Sequence, residues 1–383
     1  MRDEAEHKAD SEAVEIGARR CRDAEGVNVP FLDLKRQAAA QKTLLAEAFA
    51  TVVDSGRFIG GPALGRFEEA WSDFCWAPFA VGVNSGTDAI ALALRALGVG
   101  PGDEVITAAN TCVATVTGIA ASGATAVLAD VDEQTWTLDP ASARSAVTER
   151  TRAIVPVHLY GQCADVGPLR ELGFPVVEDA AQAHGAEYRG ERRGELAAYS
   201  FYPTKNLGAL GDAGAVVTHD AELAERMRML RSHGERADAR GIAVTPGVNS
   251  RLDEVQAEFL LRKVEHLDEW NERRRQLATF YRKRLADADI VLPVEAEGRR
   301  HCWHLFVVMA DGRDAFRARL CERGVETIVH YPEPIHKQAA YEHLPRVEVP
   351  VSERLCEQVV SLPLYPELTD AEAERVVEAV LAG

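Results

Sequence analysis

Lys205 is the residue of this sequence whose setting most directly suggests covalent chemistry. It lies in "SFYPTKNLGALGDAGAVVT", between one apolar run and a glycine-rich turn that leads into another apolar run. A lysine that is partly desolvated in such a place can have a lowered pKa and form a Schiff base with an aldehyde. A lysine on an exposed loop is instead an ordinary solvated charge, so this segment alone leaves both interpretations open.

A second segment, "PVVEDAAQAHGA", ends an apolar run with an acidic residue. Asp179 follows the run directly, and Gln182 comes three residues later. A carboxylate in this position can pair with a protonated ring nitrogen, and an amide nearby can hydrogen-bond a ring hydroxyl. The alternative is that Asp179 caps the N-terminus of a helix.

A third segment, "FAVGVNSGTDAIALAL", passes from an apolar run through a turn into a helical pattern. Backbone amides at a helix N-terminus bind anions, and Gly86 would let a phosphate come close to the backbone. Capping of the helix by Ser85 or Thr87 explains the same residues without a ligand.

Short apolar runs alternate with helical segments over the first 250 residues, which predicts βαβ units and a mostly parallel sheet. The runs are apolar at nearly every position, as is typical of strands covered on both faces. Strands are predicted at residues 79–83, 104–107, 125–129, 153–157, 175–178, 197–202 and 214–218. Because ligands of such sheets bind at the carboxyl ends of the strands, the three segments are expected to meet at one edge.

The pattern changes after residue 250, where long charged helical segments surround strand-like runs at 302–308 and 325–331. We therefore predict a large α/β domain at 27–252 and a smaller α+β domain at 253–383. Residues 1–26 mix both charges and contain no apolar run of the kind found in signal peptides. They are expected to form a poorly ordered extension.

The composition excludes several classes of partner. The 383 residues include 43 basic and 60 acidic side chains, and this balance argues against a nucleic-acid-binding surface while leaving room for a small anionic ligand. Residues 105–129 carry no charge, but Thr, Asn, Ser and Gly interrupt them. A strand, a buried helix and a second strand explain this stretch better than a membrane span, so no membrane partner is expected.

Seven cysteines are scattered along the chain, and no two of them form a CxxC pair. This spacing argues against a zinc site and against a disulfide framework. A reducing compartment fits better, so we expect a cytoplasmic protein without a metal.

Together, the three segments supply what a pyridoxal phosphate enzyme must provide: an amine for the aldehyde, a carboxylate for the ring nitrogen and a cradle for the phosphate. From residue 29 onward the chain resembles the DegT/DnrJ/EryC1/StrS family of sugar aminotransferases, which has the aspartate-aminotransferase-like fold (fold type I). The resemblance rests on motifs that occur in this order: "VPFLDLKRQ", "SGRFIGGP", "NSGTDAIALAL", "GPGDEVIT", "VHLYGQ", "EDAAQAHGA", "SFYPTKNLGALGDAGAV" and "NSRLDEVQAEFL". It implies a mostly parallel seven-stranded sheet flanked by helices, followed by the smaller domain.

The resemblance implies that Lys205 and Asp179 are the catalytic pair, with Lys205 bonded to pyridoxal 5′-phosphate and Asp179 facing its ring nitrogen. The other cofactor contacts that it implies are Gly86, Thr87 and Ser200 at the phosphate, Gln182 at the ring oxygen, and Asn249, which would reach the phosphate from a neighbouring subunit. The protein is therefore expected to be a homodimer with shared active sites.

Cys112 departs from the family pattern. The residue after Thr111 is often an aromatic ring that stacks on the cofactor in this family. Either Val113 or an aromatic side chain from elsewhere covers the ring here, or the contact is weaker. Cys112 itself is interpreted as a small packing residue.

As in related enzymes, we expect two half-reactions: an amino donor, L-glutamate, charges the cofactor, and a nucleotide-diphosphate keto sugar then receives the amino group. Lys205 would move the proton as general acid and base. The segments at 200–216 and 329–341 resemble members that act at C3 of a dTDP-3-keto-6-deoxyhexose, in deoxyaminosugar biosynthesis for a glycosylated natural product such as an antibiotic. Tyr331 and His336 would then lie near the sugar or the diphosphate, unless they belong to an ordinary surface loop.

Three alternatives remain beside this interpretation. An aminotransferase acting at C4, or on a cyclitol ketone, would carry the same cofactor residues. A regulatory homologue without turnover is disfavoured because Lys205 and Asp179 are both present. A dinucleotide-binding dehydrogenase is disfavoured because no GxGxxG follows the first predicted strand.

Overall fold

The computed structural model describes residues 21, 26, 28–192, 194–236, 238–239 and 241–382. The expected poor order of residues 1–26 falls almost wholly outside these described residues. The helices are α1 Leu34–Ala40, α2 Lys42–Ser55, α3 Pro62–Phe74, α4 Gly86–Ala96, α5 Val113–Ser122, α6 Pro140–Ser145, α7 Val166–Arg170, α8 Ala221–Leu230, α9 Glu254–Val264, α10 Leu267–Arg284, α11 Arg313–Glu322, α12 Pro350–Gln358 and α13 Asp370–Leu381. The strands are β1 Phe79–Val83, β2 Glu104–Ala108, β3 Thr125–Ala129, β4 Thr151–Val155, β5 Glu178–Asp179, β6 Glu187–Tyr188, β7 Leu196–Ser200, β8 Gly214–Thr218, β9 Arg299–Arg300, β10 Phe306–Met309 and β11 Val359–Leu362.

Two ladders combine into the central sheet. Strands β1, β8, β7 and β5 form one ladder, and β3, β2 and β4 form the other. Bridges from Ile154 to Val176 and from Val157 to Asp179 join β4 to β5, so the sheet has the order β1-β8-β7-β5-β4-β2-β3. Strand β8 is antiparallel to both of its neighbours, whereas the other neighbouring strands run parallel. This confirms the predicted mostly parallel, seven-stranded sheet.

Helices cover both faces of the sheet, which explains why its strands are apolar at nearly every position. Because side chains alternate between the faces of a strand, Val216 packs in the apolar layer that contains α4, α5 and α8, whereas Val217 packs in the layer that contains α3 and α9. On the second face, Trp71 of α3 meets Tyr199 and Phe201 edge to face. The carboxyl edge of the sheet is therefore a fixed platform between two packed layers.

The C-terminal part has its own apolar cluster. Strands β10 and β11 pair antiparallel, and α10, α11 and α13 pack around them. Helix α13 begins with a capping box, in which Thr369 and Glu372 bond each other's backbone amides. The "TDAE" spacing predicted this box.

Helix α9 packs with the large domain. Its side chains Ala257 and Leu260, and Leu252 just before it, share one apolar cluster with Trp71. We therefore propose that the large domain continues through α9 and that the division from the small domain falls near Leu267, rather than between residues 252 and 253.

One disulfide joins Cys21 to Cys321 across 300 residues of sequence. The expectation that the scattered cysteines stay unpaired does not hold for these two, because cysteine spacing carries no information about a pairing that only the tertiary fold creates. The other five cysteines are free thiols. In the part of the chain that the structure describes, no helix has both the length and the apolar character to cross a bilayer, and no cluster of His, Cys, Asp and Glu could hold a metal ion.

Candidate active site

A cavity of about 230 Å³ lies at the carboxyl edge of the sheet, where β1, β5 and β7 end. Its wall contains side chains from positions more than 100 residues apart in sequence. Six of the predicted cofactor residues line it: Gly86, Thr87, Asp179, Gln182, Ser200 and Lys205. The structure thus brings together the three segments that the sequence singled out.

Lys205 stands in a tight turn directly after β7. Its backbone amide donates to the carbonyl of Tyr202 at 2.8 Å, which fixes the turn and directs the side chain to the cavity. Burial lowers the pKa of the Lys205 amine, while Cys112 and Asp179 partly oppose this shift. Among the described residues no carboxylate lies within ion-pair distance of the amine. Lys205 is therefore a desolvated amine in a cavity and not the solvated loop charge of the alternative.

Asp179 is buried at the end of β5. Its carboxylate accepts hydrogen bonds from the Thr115 hydroxyl at 2.7 Å and from the Ala181 amide at 3.1 Å. Burial raises the pKa of Asp179, and these two hydrogen bonds and the Lys205 charge lower it again in part. No helix begins after Asp179, because residues 181–185 form turns. The helix-capping alternative is therefore wrong.

Burial disfavours the charged forms of both Asp179 and Lys205, and the attraction between the two groups compensates this only in part. The net shift of the Asp179 pKa is upward and that of the Lys205 pKa is downward, so burial moves each group toward its neutral form. A bound ring with a protonated nitrogen beside Asp179 would give this carboxylate the cation it lacks. A bond from an aldehyde to the Lys205 amine would use the form that burial favours. These residues therefore fit pyridoxal 5′-phosphate.

The cradle for an anion is the N-terminus of α4. Ser85 caps this helix, since its hydroxyl accepts from the Asp88 amide at 3.1 Å. Capping and anion binding are compatible, because the cap satisfies one amide while those of Gly86 and Thr87 have no acceptor among the described residues. A Cβ atom on Gly86 would lie 2.6 Å from the Cβ of Ser200, so only glycine allows α4 to approach β7 this closely.

Gln182 connects the cavity to the small domain. Its amide oxygen accepts from the Tyr160 backbone at 2.7 Å, and its amide nitrogen donates to the Tyr331 hydroxyl at 3.0 Å. Burial raises the pKa of Tyr331 well above its usual range, so its hydroxyl keeps its proton. Tyr331 thus lies beside the predicted cofactor site and not on a surface loop.

Cys112 takes the N-cap position of α5 and lines the cavity. Val113, which the sequence offered as a cover for the ring, is 44% exposed and does not line the cavity. The Tyr331 hydroxyl contacts the Cys112 thiol. Tyr331 of the small domain thus contacts Cys112 without lining the cavity, and the aromatic residue that lines the cavity is Tyr202.

Besides Tyr331, which contacts Gln182 without lining the cavity, two predicted residues lie outside it. Asn249 is exposed, and its backbone pairs with Ser232; its predicted place is in a neighbouring subunit's site. His336 pairs with Glu353 at 2.9 Å and does not line the cavity.

The sequence analysis missed Thr115, which donates a hydrogen bond to the Asp179 carboxylate. Because the single proton of the Thr115 hydroxyl goes to Asp179, Thr111 must donate in its 2.8 Å contact with Thr115. The four-residue spacing of these threonines on one turn was the available signal. His184 is a structural histidine: its Nε2 donates to the Ser200 carbonyl at 2.9 Å, and burial lowers its pKa to about 3, so it supports β7 as a neutral group.

Comparison with known proteins agrees with this geometry. A family model described as the DegT/DnrJ/EryC1/StrS aminotransferase family matches residues 40–381. The chain is 50% identical over 370 residues to dTDP-3-amino-3,4,6-trideoxy-alpha-D-glucose transaminase of Streptomyces venezuelae, which covers 93% of this chain and 96% of the relative. It is 44% identical over 366 residues to a pleiotropic regulatory protein of Geobacillus stearothermophilus, which covers 92% of this chain and 98% of the relative.

Among solved structures, the crystal structure of Streptomyces venezuelae DesV in complex with a ketimine intermediate superposes with a TM-score of 0.91. The two chains are 49% identical, and the match covers 93% of this chain and 98% of the other.

Proposed function

Since the chain belongs to the DegT/DnrJ/EryC1/StrS aminotransferase family, we propose that it aminates C3 of a nucleotide-linked keto-deoxysugar. The proposed acceptor is a dTDP-3-keto-6-deoxyhexose and the proposed donor is L-glutamate, in deoxyaminosugar biosynthesis for a glycosylated natural product. The relative that is 50% identical carries a 3-amino sugar in its name, which supports C3 over C4 and over a cyclitol. The enzyme is a pyridoxal-phosphate-dependent aminotransferase of fold type I.

The observation that carries this proposal is the meeting of Lys205, Asp179 and the α4 N-terminus in one cavity. When bound, pyridoxal phosphate supplies an aldehyde that takes up and passes on an amino group, and a ring that draws electrons from the reacting carbon. Asp179 would keep a proton on the ring nitrogen, and the amides of Gly86 and Thr87 would hold the phosphate. Lys205 would hold and return a proton at Nζ, which is effective because burial brings the pKa of this amine down from its usual value.

We further propose a cytoplasmic homodimer with shared active sites. Exposed apolar side chains on and just after α2 support a covered surface there: Phe49, Val53, Phe58 and Ile59. Asn249 is exposed and lies outside the cavity of its own chain. This is what we expect of a residue that contacts the cofactor phosphate in the neighbouring subunit.

The test incubates the purified protein with pyridoxal phosphate, glutamate and either a 3-keto or a 4-keto dTDP-sugar, and identifies the product by mass spectrometry and NMR. We expect an aminated product from the 3-keto sugar. Amination of the 4-keto sugar alone would overturn the assignment to C3. Absence of any product would favour the regulatory role that one relative's name indicates.

Lys205→Ala is the catalytic control in this assay and should abolish turnover together with the absorbance of lysine-bound cofactor. Lys263→Met is the matched variant, because Lys263 is also buried with a pKa lowered to about 8, yet it does not line the cavity. It should keep the absorbance. Multiple turnovers by Lys205→Ala would remove Lys205 from its proposed role.

A further inference from the structure

Asn206, the residue directly after Lys205, is buried outside the cofactor cavity. It is 3% exposed, and it does not line the cavity that Lys205 lines. The chemistry proposed above makes no use of its side chain. Because consecutive Cα atoms are only about 3.8 Å apart, contacts that fix the Asn206 side chain also limit where the backbone of Lys205 can lie.

Both polar atoms of the Asn206 side chain are hydrogen-bonded. Its Nδ2 donates to Asn271 Oδ1 at 2.8 Å and to the Cys302 carbonyl at 3.1 Å, and its Oδ1 lies 3.0 Å from His304 Nδ1. A carbonyl oxygen can only accept, so the amide nitrogen must face Cys302 and the amide oxygen must face His304. The orientation of the Asn206 amide is therefore set by α10, which carries Asn271, and by the segment that precedes β10.

The ring of His304 fits this arrangement in one protonation form. Burial lowers the pKa of His304 well below its usual range, so the ring is neutral at pH 7. Since Asn206 Oδ1 has no proton to give, Nδ1 of His304 carries the single ring proton and donates it. His304 is thus a fixed donor without a charge that would repel the Lys205 amine.

Asn271 connects the two ends of the turn that carries Lys205. Its Oδ1 accepts from Asn206, and its Nδ2 donates to the His184 carbonyl at 2.7 Å. The His184 ring donates in turn to the carbonyl of Ser200, which ends β7. One fully buried side chain of α10 therefore links the residue that begins the turn with the residue that follows Lys205.

We propose that Asn206 is a positioning residue for Lys205 and that Asn271 and His304 hold it in place. The network keeps the Lys205 amine directed into the cavity, away from bulk water. This role rests on the proposed aminotransferase function, and it gives α10 and the segment before β10 a part in the proton transfer at Lys205. A displacement of about 1 Å at a reacting group can cost on the order of 10²-fold in rate, so an amide that never touches the substrate can still control turnover.

The first test measures the Lys205 amine in the full chain without cofactor. Acetic anhydride acylates only neutral amines, so its rate of reaction with Lys205 at a series of pH values, followed by peptide mass spectrometry, reports the pKa of this amine. In the wild type we expect a pKa below that of an ordinary lysine, because burial lowers it. In Asn206→Ala the amine should gain access to water, and its pKa should rise by about one pH unit. Lys42, which is exposed on α2, is the internal reference and should react equally in each protein.

The second test uses two variants of His304, because they separate the hydrogen bond from the bulk of the ring. His304→Asn places an amide nitrogen near the position of Nδ1 and can still donate to Asn206, whereas His304→Leu cannot. His304→Leu should raise the pKa of the Lys205 amine, as Asn206→Ala does. In the holoenzyme it should lower kcat about 10-fold and change the KM for the keto sugar by less than about 2-fold. His304→Asn should restore most of both effects.

Thr107→Val is the matched control, because it removes one buried hydrogen bond of the same sheet without touching the cavity. The Thr107 hydroxyl donates to the Val155 carbonyl at 2.8 Å, and Thr107 does not line the cavity. This variant should match the wild type in the pKa of the Lys205 amine and in the ratio of kcat to its wild-type value.

An unchanged pKa of the Lys205 amine in Asn206→Ala and in His304→Leu would overturn the inference, since the network would then support folding alone. A rise in KM without a loss of kcat would also overturn it, because His304 would then contact a substrate, and so would a His304→Asn protein that behaves like His304→Leu. If Asn206→Ala does not fold, the two His304 variants decide. A wild-type protein that takes up no pyridoxal phosphate would overturn the proposed function, whereas acylation of the cofactor-free chain would still test the placement of Lys205.

Discussion

At the scale of single residues, the burial of the Asp179 carboxylate and the Lys205 amine in the cavity lowers the stability of the folded protein. Each would be cheaper to bury in its neutral form, yet the proposed chemistry needs a carboxylate at 179. Thr115 and the Ala181 amide offset only part of the cost for Asp179. The cavity without its cofactor is therefore electrostatically strained, and a cation beside Asp179 should relieve it.

The variant Asp179→Asn should raise the stability of the cofactor-free protein at pH 7 and lower the activity of the enzyme. The raised pKa of Asp179 means that the folded protein binds a proton at this carboxylate more readily than the unfolded chain does. This group's contribution to stability is therefore present below its usual pKa of 3.8 and is lost as the pH rises through the raised value. Asparagine is neutral and can still accept from the Ala181 amide. In the cofactor-free protein we expect the variant to unfold at a higher temperature than the wild type at pH 7, with the difference vanishing in acid.

The same variant should lose about 10²–10³-fold in kcat, because a neutral amide no longer stabilises a ring cation. Thermal unfolding at several pH values and steady-state kinetics check both parts. A variant that is less stable than the wild type at pH 7 would show that the hydrogen bonds of Asp179 outweigh its cost of burial.

The sequence could identify Lys205 and Asp179 because each directly follows an apolar run, and strand ends at one edge of a sheet converge. It could not identify Thr115, and it gave Tyr331 no partner among the cofactor residues. Their contacts span 64 and 149 residues, and they depend on how α5 and the small domain pack against the sheet. Pairwise contacts of this kind have no local signal.

At the scale of elements, the contact of α4 with β7 decides whether an anion cradle exists. A glycine at 86 permits the approach, and the free amides of the first helical turn then face the cavity. Any side chain at this position pushes the helix N-terminus away from Ser200.

Gly86→Ala should therefore weaken binding of pyridoxal phosphate by at least about 10-fold, since a Cβ atom 2.6 Å from that of Ser200 requires a shift of backbone. Gly65→Ala is the matched control: Gly65 lies inside α3, its added Cβ would meet no atom within 4 Å, and alanine favours a helix. Fluorescence titration of the two cofactor-free variants measures the effect. Equal affinities would show that the α4 N-terminus does not hold the phosphate.

The predicted strands at 79–83, 125–129 and 214–218 coincide with β1, β3 and β8. The predicted strand at 175–178 is reduced to Glu178–Asp179 with single bridges before it, in keeping with Pro175, which has no amide proton to give to a ladder. The run at 325–331 forms only isolated bridges, to Val29 and Ser361. Periodicity predicts a strand, but whether partners are in place depends on segments far away in sequence.

At the scale of the whole molecule, the Cys21–Cys321 disulfide ties the N-terminal segment to α11. A bridge that closes a loop of this length removes much conformational freedom from the unfolded chain. It should therefore stabilise the folded protein by about 2–5 kcal/mol. Cys21→Ser should lower the thermal midpoint by a few degrees, and a thiol reductant should lower that of the wild type to the same value. A reductant that also shifts the variant would mean that another thiol is responsible.

The proposed shared site makes a sharper prediction about the whole assembly, because Lys205 and Asn249 would serve one cofactor from different subunits. Lys205→Ala lacks the amine, and Asn249→Asp places a negative charge where the phosphate would bind, so each variant alone should be nearly inactive.

If the two variants are unfolded, mixed in equal amounts and refolded, about half of the dimers are hybrids that contain one chain of each variant. In each hybrid one site contains both wild-type residues and the other contains neither. The mixture should recover about a quarter of the wild-type activity, whereas residues acting within one chain would leave it inactive, and full activity of Asn249→Asp alone would remove Asn249 from the site.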